Sequence, residues 1–304
     1  MQFMFQYPDV HGLDADMLDA GPVTDVAVAA ERAGWSGISF TEHPAPGTKW
    51  LQSGGHQTLD PFVALAAAAA VTTKLRLLTY LAVVPYRNPL LLAKAAASVD
   101  KISAGRMILG VGTGYLKAEF HALGVDFDER NELFDEALDV LPMHWSGETF
   151  SYAGKHFNAR ELIARPRPVQ QPIPIWIGGN AKITLQRIAD RAQGWMPLTG
   201  PAEMANTTRS PHLESVASIS ERLAMLRDLA GDRFAALDIA VSYGDRSIYE
   251  PSVDVERHRE ALEAYRQLGA TWIVVAGPTG NHPIATDFLE AFGETYIGAE
   301  DRPS

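Results

Sequence analysis

Apolar and polar positions along this chain switch repeatedly between two periods. Short apolar runs with strand spacing are each followed by a stretch with helical spacing. Phe3 and Phe5 alternate in a first strand. Pro22 then opens a helix with Val23, Val26, Ala27 and Ala30 on one face, and Gly34 stops it. Residues 36–41 form a second strand, and Asp60-Pro61 supplies an N-cap and first helical residue for an alanine-rich helix to Thr72. The apolar run 75–84 reads as a long third strand, followed by a helix over 89–102. The fourth strand, Met107-Ile108-Leu109, dissolves into Gly110-Val111-Gly112-Thr113-Gly114-Tyr115. Its helix starts near Asp128 and carries Leu133, Phe134, Ala137, Leu138 and Leu141 at helical spacing. Pro142 is expected to kink or end that helix early. A small hairpin is expected over 149–157, turning at Ala153-Gly154. Strands at 174–177, 195–198, 237–242 and 271–276 then alternate with helices at 181–193, 214–230, a stretch burying Ala261, Leu262, Tyr265 and Leu268, and 284–292.

Eight strand–helix units require a parallel sheet with helices outside it, and that number favours closure. The expected fold class is α/β, a (β/α)8 TIM barrel with insertion loops at its C-terminal face; an open doubly wound sheet is the alternative. No composition shift or linker divides the chain, so one domain is expected over 1–304. The connections 42–59 and 199–213 exceed the usual few residues and leave the C-terminal ends of strands, either as lids or as plain insertions.

Composition narrows the function classes. A formal charge of −11 argues against nucleic acid or an anionic membrane as partner. The absence of cysteine removes disulfides, thiolate metal sites and cysteine nucleophiles, and fits a reducing compartment. The apolar stretch 62–71 is too short to span a bilayer, and Met1-Gln2-Phe3-Met4-Phe5-Gln6 reads as a strand rather than a signal peptide. A soluble, cytoplasmic protein acting on a small-molecule substrate is expected.

Four strand exits carry the candidate chemistry. His43 follows strand two and is the natural acid/base group, unless it merely bonds its own loop. Thr79-Tyr80-Leu81 reads as a strand filling the barrel. The glycine exit of strand four is not the dinucleotide fingerprint; it marks either a tight turn or a cofactor approaching bare backbone. Gly178-Gly179-Asn180, with Lys182 close behind, offers N–H groups and a helix dipole to an anion, or is a simple helix start capped by Asn180. No metal is expected: strand one offers only Gln6 and Tyr7, and His43, His56, His121, His144 and His156 lack ligand-like spacing. No G-x-S-x-G nucleophile elbow occurs.

Several segments together, in order and spacing over about residues 1–200, resemble the bacterial luciferase-like flavin and deazaflavin oxidoreductases. They are Trp35-Ser36-Gly37-Ile38-Ser39-Phe40-Thr41-Glu42-His43, Asp60-Pro61-Phe62-Val63-Ala64-Leu65, and Pro85-Tyr86-Arg87-Asn88-Pro89. Ser103-Ala104-Gly105-Arg106 through Tyr115, Arg165-Pro166-Arg167-Pro168-Val169-Gln170 through Asn180, and Gly194-Trp195 complete the set.

The resemblance implies a barrel with the cofactor's ring across its C-terminal mouth. It implies a non-prolyl cis peptide in strand three at Tyr80-Leu81, beside Thr79, supporting the ring from behind. Gly112, Thr113, Gly114 and Tyr115 would flank the ring and phosphoribityl chain, Gly178, Gly179 and Asn180 would take the phosphate, and Trp195 would belong to the same cofactor set. His43, paired with Glu42, would be the catalytic group. The likeness is closest to the deazaflavin branch, which implies coenzyme F420, with FMN as the alternative. The implied reaction is hydride transfer between F420 and a small organic substrate. The alternatives are an FMN-dependent monooxygenase supplied by a flavin or F420 reductase partner, and a non-catalytic flavin-binding protein; a cofactor-free lyase or isomerase would bind no flavin. The deazaflavin dehydrogenase of a sugar phosphate carries glutamate where this chain has Tyr115, which argues against that substrate and leaves the partner of His43 open. Arg87, Lys117 and Lys182 are candidates for holding the cofactor's anionic tail. The resemblance also implies a homodimer.

Overall fold

Eight parallel strands pair in sequence order and close on themselves. They are β1 (Gln2–Gln6), β2 (Gly37–Phe40), β3 (Arg76–Thr79), β4 (Met107–Gly112), β5 (Ile175–Gly178), β6 (Gly194–Met196), β7 (Asp238–Ser242) and β8 (Trp272–Ala276). Gln2 lies opposite Trp272 where β8 meets β1, and the β4–β5 pairing completes the ring. The structure, a computed structural model, describes all residues except 12, 14, 15, 201, 209, 279–281 and 299–304, with the backbone alone at 203, 204, 206, 282 and 283. This is the (β/α)8 barrel that the repeated rhythm predicts.

The strand alternation builds two cores. Phe3 and Phe5 of β1 pack outward against the helices, whereas Met4 between them points into the barrel. The barrel interior is filled by Met4, Leu78, Ile108, Trp176, Met196, Ala240, Trp272 and Val274. Gly37 on the neighbouring strand admits Met4, because a Cβ there would stand 2.6 Å from the Met4 methyl.

Outside lie α1 (Val23–Arg32), α2 (Pro61–Val71), α3 (Pro89–Ile102), α4 (Arg130–Ser146), α5 (Lys182–Arg191), α6 (Val216–Ala230), α7 (Val255–Leu268) and α8 (His282–Tyr296). Asp60 caps α2 by accepting from the N–H groups of Phe62 and Val63, and Asn88 caps α3 by accepting from Leu90. Arg106 closes the other end of α2. Its guanidinium donates to the carbonyls of Ala69, Thr72, Leu75 and Ser103 and to the Thr72 hydroxyl.

Three sequence expectations change. Pro142 neither ends nor breaks α4, which runs on to Ser146. Tertiary packing holds the last turn, because Trp145 is buried and donates its indole N–H to the Ala93 carbonyl of α3 at 3.0 Å. The run 75–84 is not one strand but β3, a break at Tyr80-Leu81, and a short continuation at Ala82–Val83. The helix after β5 starts at Lys182 with Ala181 as its uncapped N-cap, so Asn180 does not cap it. Among the described residues, no helix is long and apolar enough to cross a membrane.

Candidate active site at the barrel mouth

The glycines of β4 meet protein. A Cβ at Gly110 would lie 2.0 Å from the Thr79 carbonyl oxygen, one at Gly112 would lie 2.7 Å from Leu81 Cδ1, and one at Gly114 would lie 2.5 Å from Val83 Cγ1. The bare backbone therefore receives the exit of β3, one residue against each glycine. Thr79 adds a hydroxyl hydrogen bond to the Gly110 carbonyl at 2.7 Å, and Ala82 and Val83 go on to pair with Val111 and Gly112. The Tyr80–Leu81 peptide is cis, at the position the resemblance implies. Leu81 also fills the space over Gly178, where a Cβ would stand 2.3 Å from its Cδ2. It is thus wedged between the exits of β4 and β5. The close approach read from the sequence is real, and on the Cβ side of these glycines the protein's own third strand fills the space.

His43, beyond β2, faces a carboxylate the sequence reading missed. Its Nδ1 lies 3.2 Å from Oε2 of Glu119, which sits fully buried on the short helix Lys117–Ala122. The same carboxylate accepts from the Tyr86 hydroxyl at 2.9 Å and from the Ala45 N–H at 3.2 Å. The one sequence signal was an acid four residues beyond Tyr115. Tyr115 itself stands edge-on to His43, with ring centroids 6.2 Å apart. Burial, with Glu119 and Asp9 nearby, pushes its hydroxyl up to about 12.

Glu42 is not brought to His43. It is buried, ion-pairs with Arg87 and accepts from the Val83 N–H at 2.7 Å, bracing the segment after β3. Burial raises its carboxyl, with Arg87 pulling the other way. Arg87 is thereby committed, and Lys117 lies over the Phe127 ring; Lys182 is exposed in the first turn of α5.

At the β5 exit the N–H of Gly179 bonds the Met196 carbonyl and that of Asn180 bonds the Ser210 hydroxyl. The Asn180 side chain donates to the carbonyls of Leu198 and Pro211 and accepts from the Leu198 N–H, tying this exit to the 199–213 connection. Donors left open for an anion lie one residue on, in the first turn of α5, where no side chain caps the helix. Trp195 is buried in the outer core and reaches the exit only through its indole N–H, which bonds the Gly179 carbonyl at 2.8 Å.

The 42–59 connection is tied down. It forms a short helix, Thr48–Gln52, and pairs His56–Gln57 with Val10–His11. This gathers rings that the sequence kept apart: His43 lies 4.6 Å from Trp50 and 4.9 Å from His56, centroid to centroid. Burial drives His56 down to about 3, so this ring stays neutral. Asp9, with one carboxylate oxygen 3.6 Å from His56, accepts from Thr41 and Gln6 and is raised by burial to about 6. Among the described residues, one grouping has ligand-like spacing, Glu129, Glu132 and His156, and its two carboxylates hold Lys155.

The profile of a family described as luciferase-like monooxygenase matches residues 1–222. An uncharacterized protein of Mycobacterium tuberculosis is 33% identical over 183 residues, covering 56% of this chain and 63% of that protein. The chain thus spans less than two thirds of the length of the first such relatives. An F420-dependent glucose-6-phosphate dehydrogenase of Kineococcus radiotolerans is 27% identical over 304 residues, covering 93% of this chain and 88% of that one. Among solved structures, the monooxygenase RslO1 of Streptomyces bottropensis superposes with a TM-score of 0.75 at 19% identity, covering 98% of this chain and 99% of that one.

Proposed function

The chain belongs to the luciferase-like monooxygenase family, and from that premise we propose that it is an oxidoreductase transferring a hydride between coenzyme F420 and a small organic substrate at the barrel mouth. The observation that carries this reading is the state of His43. Its side chain is 9% exposed and held at Nδ1 by Glu119, and among the described residues no protein group bonds Nε2. An imidazole fixed at one nitrogen and free at the other is suited to holding or moving a proton while a redox step occurs beside it. The likeness to a relative named as F420-dependent, running almost the whole length of the chain, favours the deazaflavin over FMN.

The bound deazaflavin would supply hydride chemistry at its C5 carbon. The protein does the rest. The uncapped first turn of α5 offers N–H groups and a helix dipole to the cofactor's phosphate. Leu81, braced by Gly112 and Gly178, backs the ring. Nε2 of His43 exchanges a proton with the reacting oxygen or carbon of the substrate. Tyr115 and Trp50 wall the space beside it. FMN-dependent oxygen chemistry, with a flavin reductase as partner, is the second reading, favoured by the family's own description.

A side-by-side fluorescence titration of the purified protein with F420 and FMN tests the proposal. Micromolar binding of F420 with weaker FMN binding is expected. Tight FMN with no F420 binding would move the assignment to the monooxygenase reading, and binding of neither would end both.

A second copy of the chain is the proposed partner. Helix α2 is apolar on every side, and a helix of that kind is ordinarily covered all round. Yet Val63 is 71% exposed on it, and Leu91 is 66% exposed on adjacent α3. Light scattering is expected to show a dimer that Val63→Glu with Leu91→Glu converts to monomer; a monomeric wild type would refute it.

A further inference from the structure

We propose that Glu119 is the positioning residue for His43: it fixes the imidazole with its proton on Nδ1, leaves Nε2 as the bare acceptor, and stabilises the ring when it becomes charged. The role in turnover rests on the hydride-transfer reading above, whereas the tautomer does not.

Glu119 is fully buried, and its other donors, the Tyr86 hydroxyl and the Ala45 N–H, are neutral. Oε2 takes the Tyr86 hydroxyl and faces His43 Nδ1; Oε1 takes the Ala45 N–H. Tyr86 cannot relieve the charge by giving up its own proton, because burial and then Glu119 itself raise its hydroxyl far above the ordinary phenol range. A carboxylate beside an imidazole stabilises the ring during any step in which it takes up a proton. A carboxylate on one ring nitrogen also dictates that this nitrogen carries the hydrogen, which sets the role of the other.

The surroundings leave this task to Glu119. From the 42–59 connection His43 meets Trp50 and His56, and His56 is held neutral by burial. From the β4 exit it meets Tyr115, a phenol. From the segment after β1 the charge of Asp9 is felt, but its carboxylate is engaged by Thr41 and Gln6 and lies toward His56. Glu42, adjacent in sequence, is spent on Arg87. Glu119 also joins three segments that share no local sequence: the start of the 42–59 connection, the turn after β3, and the helix after β4.

The test uses histidine-labelled protein without cofactor, with the His43 signals in the nitrogen NMR spectrum identified by their loss in His43→Gln. The expected result is a wild-type neutral imidazole protonated at Nδ1. In Glu119→Gln the amide oxygen stays on the Ala45 N–H and turns its NH2 toward the ring, so the tautomer should shift to Nε2–H. With cofactor and substrate, Glu119→Gln should lower kcat by about 10²–10⁴-fold, while the cofactor Kd stays within about threefold of wild type. A wild-type ring protonated at Nε2 overturns the inference, even if the variant fails to fold. So does a variant that keeps both tautomer and turnover. Failure to bind any flavin would instead defeat the functional reading and leave the tautomer result to judge Glu119.

Discussion

Replacing Gly112 by alanine should destabilise the protein without any ligand present, and removing the Leu81 side chain should largely cancel that cost. The new Cβ would stand 2.7 Å from Leu81 Cδ1 and 3.1 Å from Cδ2. Carbon atoms rest at about 3.5–4.0 Å, so Leu81 must retreat by roughly 0.8 Å. Its far side already occupies the space over Gly178. Overpacking of this kind costs about 1–3 kcal/mol. In the double variant Gly112→Ala/Leu81→Ala the conflict disappears, so a double-mutant cycle should show a favourable coupling of about 1–2 kcal/mol. Gly110→Ala is the control. Its Cβ would stand 2.0 Å from a backbone oxygen, which no rotamer change can move, so a loss above about 4 kcal/mol that Leu81→Ala does not rescue is expected. Urea unfolding followed by tryptophan fluorescence measures all of these. Full stability of Gly112→Ala combined with lost cofactor affinity would refute the reasoning, because the glycine would then serve the ligand and not β3.

Arg106→Lys should cost about 2–4 kcal/mol, since a lysine cannot replace the planar fork that reaches Ala69, Thr72, Leu75 and Ser103 together; thermal or urea unfolding reads this directly. Asp9 should make stability fall with rising pH: burial lifts its carboxyl from 3.8 to about 6, so its contribution is intact below the lower value and lost through the upper one. The shift corresponds to about 3 kcal/mol, and Asp9→Asn should therefore gain stability over wild type at pH 8 but not at pH 4, checked by urea midpoints at both. Glu42→Gln should lose about 2–4 kcal/mol by leaving Arg87 unpaired, yet leave the His43 tautomer unchanged by NMR; a tautomer shift would return Glu42 to the catalytic pair.

The barrel was legible because its signals are local. Strand and helix periods differ, and Asp60-Pro61 and Asn88-Pro89 carry their own capping chemistry. Pro142 misled because its local penalty is met by Trp145 anchoring to another helix. The site was half legible. His43 and the glycine exits announce themselves by residue type, but the identity of what each touches depends on closure of the ring. Glu119 is 76 positions from His43 and on an element of six residues, too short for a periodic signal. Asp9 and His56 meet only because two short strands pair across the β1 and β2 exits. The acid beside His43 in sequence faces away from it, and the acid beside it in space comes from another strand's exit.

Amide hydrogen exchange with and without F420 shows where on the barrel the cofactor lies. Saturating F420 should slow exchange at two places above all, the first turn of α5 over residues 181–184 and the β4 exit over residues 112–115. Protection confined to other surfaces, or none at the barrel mouth despite measurable binding, would contradict that placement.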